Sequence, residues 1–550
     1  MSKKNKSFIV QGSILAFAGI LVRVIGLLYR VPLTKIVGDV GMGFYASAFE
    51  IYNLLLLLSS QSLPIAVSKI VSENIASKKY ANTKRIFKGA IYYSLIVGVI
   101  FGGVAMIFAD YISNKFYDLP QLSPLLMILA PTILVVCVLG AFRGFFQGMG
   151  DMVPTSISQV IEQIVNAIVS VVCAYELIVI VKGVKAIKNL NHSSESYIST
   201  VGTFGASGST LGTLFGAMGA LVVLFVFMHI YKKRNLLPIE AENEELQPYK
   251  TIGKTILFTI TPVIMSTAIY NISNILDNPI FQNLNGGTSV QRSALYALYS
   301  SGYKVLTTMP IAIASALSAA MVPSVVRTYI KGTKEDINKK IDAALKFSMI
   351  IAMPCGMGLT ALGAQFCDIL FSFRNNTMAT MMLMSTFTVV FFSLSTISNA
   401  ILQGIDKLSI PIKNSAISLI AHLIFIVVML KVFKLGIYSV VIGDFTFALM
   451  VCILNNYSIK KYTGYKQNIL DIYVKPFIGS ALMAILTKLT YMACYKFTAS
   501  MIISIIPAVI IAVIVYGLIL FMFILSEDEV LALPKGAMIL SVLKKAHLVK

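Results

Sequence analysis

Fourteen apolar runs, each long enough to cross a bilayer, recur along this 550-residue chain. They lie at about 9–36, 44–68, 89–109, 122–142, 154–180, 201–230, 253–280, 293–323, 343–367, 378–402, 411–430, 435–456, 473–495 and 500–525. About 20 apolar residues span a ~30 Å hydrocarbon layer as a helix. Inside that layer each backbone N–H and C=O must be satisfied within its own segment, which leaves the helix as the solution for isolated runs. The runs therefore predict an all-α polytopic membrane protein with about 14 transmembrane helices. Composition agrees: 57% hydrophobic and 13% charged residues lie outside the range of soluble domains. The start, MSKKNKSFIVQGSILAFAGILVRV, has the basic residues, apolar stretch and A-x-A (Ala16 to Ala18) of a cleavable signal. The apolar pattern nevertheless continues to Val37, so a retained first helix is expected.

The formal net charge is +21. With the N-terminus in the cytoplasm, 30 of the 45 Lys and Arg residues fall on the cytoplasmic side and 11 outside. Four lie within spans: Arg23, Arg30, Lys304 and Lys346. The imbalance predicts a plasma-membrane protein with both termini cytoplasmic. One segment runs against it. VKGVKAIKNLNHSSESYIST places three lysines outside, so either it is a surface loop or the fifth and sixth spans are misplaced. The positive charge reads as lysine-rich cytoplasmic loops rather than nucleic-acid binding, since no basic–aromatic patch or soluble module accompanies it.

Cys137, Cys173, Cys355, Cys367, Cys452 and Cys494 are scattered through apolar runs, and the four histidines form no HExxH. No metal site is expected. The absence of GxxxxGK[ST] leaves nucleotide-driven pumping without support. No Ser/His/Asp constellation argues for catalysis, so a transporter is expected rather than an enzyme. A membrane glycosyltransferase or polymerase, the distant alternative, would need a clustered catalytic loop outside the membrane, and the sequence has none.

The chain repeats itself. FFQGMGDMVPTSISQVIEQIVNAIV begins at Phe145 and AILQGIDKLSIPIKNSAISLIAHLI at Ala400. Each reads as a helix end, a short Q-G turn with an acidic residue, then a proline opening the next helix. Gln147 and Gln403 lie 256 residues apart, and Ser94 and Ser348 echo this at 254. A repeat of that length places six spans in each half. Six is even, so the repeats are parallel. The expected architecture is two parallel six-helix repeats around a central cavity plus two C-terminal helices. The corresponding parts are 1–235, 236–459 and 460–550, the last carrying helices 13 and 14 and a cytoplasmic tail.

RGFFQGMGDMVPTSISQVIEQ, the LPIAVSKIVSE end of the second span and the arginine-bearing first span resemble the stage V sporulation protein B type of polysaccharide flippases. These belong to the multidrug/oligosaccharidyl-lipid/polysaccharide exporter superfamily, which also holds the lipid II flippases. There the first helix carries two arginines separated by a glycine, as Arg23, Gly26 and Arg30 do here. ILDNPIF…LYALYSSGYKVLTTMP resembles that family's seventh and eighth helices. The family's eighth helix bears a cavity arginine, and the nearest basic residue here is Lys304. The resemblance covers essentially the whole chain. It implies fourteen helices and a flippase working by alternating access on a polyprenyl-linked glycan lipid, whose tail stays in the bilayer, in a groove made with helices 13 and 14.

The residues suggest how such a lipid would be held. Arg23 and Arg30 are seven residues apart, hence on nearly one helix face and ~10 Å apart. Arg23 lies ~20 Å along its helix from the inner end and needs a partner or a watery cavity. Arg30 is near the outer end and either faces the same cavity or snorkels. Glu50 lies at similar depth in the second span, and Lys304 reaches about the midplane from the other half. Converging basic groups suit a pyrophosphate, with Glu50 as counter-charge. A buried Arg23–Glu50 pair that only fixes helix packing is the rival reading. Gln159, Glu162 and Asn166 form a polar stripe with two readings: cation coupling or substrate contact, and helix–helix hydrogen bonding. His422 and Asp444 form either a proton- or sodium-responsive pair or a structural one. No cofactor is expected beyond Na+ or H+ coupling and the membrane potential. A monomer is expected. A cation-coupled multidrug antiporter of the same superfamily is the alternative function, and the positive charges disfavour cationic drugs.

Overall fold

A computed structural model describes residues 3–234, 246–531 and 536–545. The expected lobe boundary at 235/236 lies outside the described residues. The chain divides into two compact units, Met1–Ala297 and Leu298–Lys550.

The first unit begins with α1 (Lys3–Ser59), broken at Gly38. There φ is +76°, a left-handed value that glycine adopts without a Cβ penalty. The break separates the first two expected spans with one residue rather than a loop. α2 (Leu63–Ala76) opens with Pro64, which has no N–H to leave unsatisfied in a first turn. The long helices α3 (Tyr80–Ile107), α4 (Leu122–Gly148), α5 (Val153–Gly183), α6 (Glu195–Lys233) and α7 (Tyr249–Leu284) follow, then α8 (Ser289–Ala297). The second unit opens with a π-helical stretch, Leu298–Tyr303, and continues with α9 (Lys304–Lys331), α10 (Lys334–Phe371), α11 (Ser385–Gly404), α12 (Ser409–Lys431) and α13 (Tyr438–Thr463). α14 (Lys475–Thr498) and α15 (Met501–Ile519) follow.

Helices thus lie beneath all fourteen expected spans. Among the described residues eleven helical segments are long and apolar enough to cross a membrane, and the first, Phe17–Ala76, has 60 residues. That is ~90 Å of helix, more than two bilayer cores. The chain is a multi-pass membrane protein, and the total of fourteen crossings stays an expectation. The lysine-rich segment before α6 is a surface connection: one short helix, Lys185–Lys188, and a turn, with Lys182, Lys185 and Lys188 exposed. The fifth and sixth spans therefore stand where the sequence put them.

Packing in the first unit uses small residues where helices meet most closely. Gly212 and Gly216 of α6 lie against the backbone of α5. A Cβ at Gly216 would stand 2.7 Å from the Glu162 carbonyl oxygen. Such close approach supplies the dispersion contacts that replace hydrophobic driving force in a bilayer. A buried core of Leu63, Val67, Ile86, Phe145, Ile252 and Ile256 ties α2, α3, α4 and α7 together. In the second unit Ile341, Met349, Val389, Ile401 and Ile459 do the same for α10, α11 and α13.

The second unit also holds a neutral polar network. Asn455 of α13 donates to Ser398 Oγ (2.9 Å) and Asn399 Oδ1 (2.7 Å) of α11, and accepts from Asn414 Nδ2 of α12 (2.8 Å). Lys346, one of the four cations expected within spans, is buried and donates to both carboxylate oxygens of Glu529 at 2.7 and 2.8 Å. Ser526 N–H braces the same carboxylate at 2.8 Å.

The repeat is visible in the backbone. After α4, the N–H groups of Met149, Gly150 and Asp151 bond to the carbonyls of Phe145, Gln147 and Phe146. After α11, those of Ile405, Asp406 and Lys407 bond to Ile401, Gln403 and Leu402. Every donor and acceptor is displaced by the same 256 residues. The left-handed residue is Gly150 (φ +85°) in one turn and Asp406 (φ +59°) in the other.

Candidate functional site

Arg23 is exposed and Arg30 half-buried on the first arm of α1. Between them, Gly26 meets α5: a Cβ there would lie 3.2 Å from Gln163 Nε2. The two arginines thus flank a crossing with α5 at the residue next to Glu162. Gln159, Glu162 and Asn166 are all half-buried on α5. Asn166 Oδ1 accepts from Ser170 Oγ at 3.0 Å.

Glu162 has a partner that the sequence reading missed. Arg143, in the last turns of α4, donates from Nη2 to Glu162 Oε2 at 2.6 Å and from Nε to Ser158 Oγ at 3.1 Å. The Arg143 side chain is 14% exposed and that of Glu162 30%. This charge-assisted pair keeps one edge open to its surroundings. Ending the fourth span at residue 142 had put Arg143 in a cytoplasmic flank, whereas α4 runs on to Gly148. The available signal was the basic residue 15 and 19 positions before Ser158 and Glu162, across a tight turn.

Glu50 does not follow the rival reading of a buried Arg23–Glu50 pair. It does not pair with Arg23, which makes no ion pair among the described residues. Its carboxylate accepts from Tyr296 Oη at 2.5 Å and Asn278 Nδ2 at 2.8 Å. Asn278 also donates to Ser47 Oγ at 2.9 Å and accepts from Gln282 at 3.2 Å. The physical reason is the Gly38 break, beyond which the second arm of α1 packs on α8. Gly43 lies so close to the Ser293 backbone that no Cβ would fit there.

In the second unit Lys304 follows the π-helical stretch, with Nζ 5.2 Å from the centroid of the Tyr299 ring. Tyr299 donates its hydroxyl to Asp444 of α13. His422 of α12 is buried, with Nδ1 3.0 Å from the Gly443 carbonyl oxygen. The structure thereby links Lys304, Asp444 and His422 through Tyr299 and the 443–444 backbone. Tyr299, a neutral residue in an apolar run, gave no separate signal. π-helical turns are rare and recur at functional sites.

A family model described as "Lipid II flippase MurJ" matches residues 118–510. The chain belongs to this family. A "Polysaccharide biosynthesis protein" model matches residues 9–189. The lipid II flippase MurJ of Bacillus subtilis (strain 168) is 23% identical over 485 residues, 85% of each chain. The stage V sporulation protein B of the same organism is 31% identical over 170 residues, 31% of this chain and 33% of that protein. Among solved structures, a lipid II flippase MurJ in an inward closed conformation superposes with a TM-score of 0.66 at 14% identity, covering 92% of this chain and 97% of that one. An inward-facing multidrug resistance MATE transporter gives 0.64 at 15% identity, covering 83% and 98%. The MurJ family membership bears out the flippase resemblance read from the sequence. The two superpositions show a shared fold.

Proposed function

We propose that this protein is a flippase carrying a polyprenyl-pyrophosphate-linked saccharide, lipid II or a related cell-wall glycan lipid, from the inner to the outer leaflet by alternating access. The observation that carries the reading is the placement of Arg23 and Arg30 in a MurJ-family chain. They flank one crossing of α1 with α5, and Arg23 is exposed without an ion-pair partner among the described residues. Guanidinium groups present planar, paired donors to phosphate oxygens. Lys304, in the second unit, is a further ammonium for the headgroup, and Glu50 is held by its bonds to Tyr296 and Asn278. Gln159, Glu162 and Asn166, with Arg143, and the pair His422 and Asp444 are the groups for Na+ or H+ coupling. An inside-negative potential favours outward movement of the anion by about 2.3 kcal/mol per charge per 100 mV. The protein acts as a monomer in the plasma membrane with both termini cytoplasmic, and it performs no covalent chemistry.

The test is rescue of a strain depleted of its lipid II flippase. The wild-type chain restores growth and outer-leaflet lipid II. Arg23→Ala abolishes rescue at normal membrane abundance, and Arg23→Lys, which keeps the charge but loses the planar fork, restores it in part. Full rescue by Arg23→Ala overturns the anion site. Drug efflux without lipid transport would favour the antiporter.

A further inference from the structure

Within the first unit, away from the arginine crossing, α2 and the start of α7 flank an open surface cavity of about 480 Å3, with all of its lining residues except the half-buried Thr259 exposed. It is lined by Lys69, Thr251, Lys254, Thr255, Phe258 and Thr259. Small-ligand sites span about 300–1,000 Å3. The chemistry of this one is specific. Lys69 stands 4.0 Å from Glu73, with both side chains more than 60% exposed, so its ammonium is only loosely held. Lys254 extends over Phe258, with Nζ 5.7 Å from the ring centroid.

Thr251, Thr255 and Thr259 recur every four residues and so line one face of α7. Thr255 donates its hydroxyl proton to the Thr251 carbonyl at 3.0 Å, and Thr259 donates to that of Thr255 at 2.8 Å. With those protons committed to the helix, both oxygens offer lone pairs and take donors. Two ammonium groups beside a row of acceptors fit a phosphate that carries hydroxyl groups.

The rim says where such a ligand comes from. Phe258, in the lining, is large, apolar and exposed, and so are Ile65, one turn before Lys69 on α2, and Leu257, next to Phe258 on α7. Phe258 lies one turn, ~6 Å, along α7 from Lys254. Lysines at headgroup level with apolar side chains one turn deeper mark the boundary between water and acyl chains. We propose that this cavity binds the phosphate-bearing, hydroxylated headgroup of a membrane lipid. Two lipids share that chemistry: an anionic glycerophospholipid such as phosphatidylglycerol, and a polyprenyl-pyrophosphate saccharide. The site is separate from the arginine crossing, so its failure leaves the flippase reading standing.

The full chain is reconstituted in nanodiscs of equal phosphatidylglycerol and phosphatidylcholine, and retained lipids are counted by native mass spectrometry. Wild type is expected to hold one phosphatidylglycerol in roughly ten- to thirty-fold preference, about fivefold for each near-surface lysine. Lys69→Gln with Lys254→Gln falls to near parity. Lys232→Gln with Lys233→Gln, at the exposed end of α6, keeps the preference, and equal melting temperatures show that all variants are folded. A polyprenyl pyrophosphate is then titrated in. Displacement of phosphatidylglycerol from wild type assigns the cavity to the carrier lipid, and persistence assigns it to the phospholipid. If Lys69→Gln with Lys254→Gln retains the wild-type preference, or both pairs of substitutions lose it equally, the proposal is overturned.

Discussion

The two Q-G turns share one backbone, yet the polar groups beside them differ in kind. In the first unit Arg143 and Ser158 flank the turn and meet Glu162. Moving 256 residues along, the equivalent positions are Asn399, Asn414 and Ser418. There the amides close on Asn455 in a buried neutral network, where Asn455 and Ser418 are fully buried. A charged pair with one side open to its surroundings can exchange partners with an incoming ion or phosphate. A satisfied neutral network has nothing to exchange, and any lost member leaves buried groups without bonds. The repeat kept the turn in both units, with an open charged pair beside it in the first and a closed neutral network beside it in the second.

The largest effect that sharpens this contrast is on stability, in the second unit. Asn455→Leu leaves Asn399, Asn414 and Ser398 short of partners and is expected to cost about 2–3 kcal/mol, read as a lowered melting temperature in detergent. Arg143→Ala should cost only about 1 kcal/mol, because the Glu162 carboxylate it releases is partly open. Transport should nevertheless fall at least tenfold. The exchange Arg143→Glu with Glu162→Arg should recover the melting temperature without recovering transport. If Arg143→Ala instead melts as low as Asn455→Leu while transporting normally, both clusters are structural and the contrast collapses. The smallest effect concerns the turns themselves. Asp406→Gly should stabilise by about 0.5–1 kcal/mol, relieving a left-handed residue that carries a Cβ, and Gly150→Asp should cost a similar amount. Equal melting temperatures for these two and wild type would show that the turns are not under the same backbone constraint.

What the sequence made legible follows from what a bilayer imposes. Every expected span has a helix beneath it, because hydrocarbon forces long apolar runs whatever the neighbours are. The repeat was legible because its turn needs particular residues in a fixed order. Partner choice was not. The sequence puts Glu50 and Arg23 at matching expected depth, but depth does not report which way a helix face turns, and a single residue, Gly38, redirects the arm carrying Glu50 toward Tyr296 and Asn278. Arg143 was lost to a span boundary a few residues short. Lys346 was visible as an intramembrane cation, but its counter-ion lies beyond the last span, in a segment whose composition gives no hint of burial. The lysine and threonines of α7 at the proposed lipid cavity read as an ordinary helix start until α2 is placed beside them.

The clasp between Lys346 and Glu529 has a consequence for how this protein is made. The two residues are 183 positions apart. At about 5–20 residues per second, roughly ten to forty seconds of synthesis separate them. Through that interval α10 stands at the insertion machinery with an ammonium whose counter-ion has not been translated. The second unit therefore completes its charge balance only when Glu529 leaves the ribosome. A stop codon just after Ile524, which removes no apolar span, should yield a chain that inserts and is then recognised by membrane quality control as unfinished.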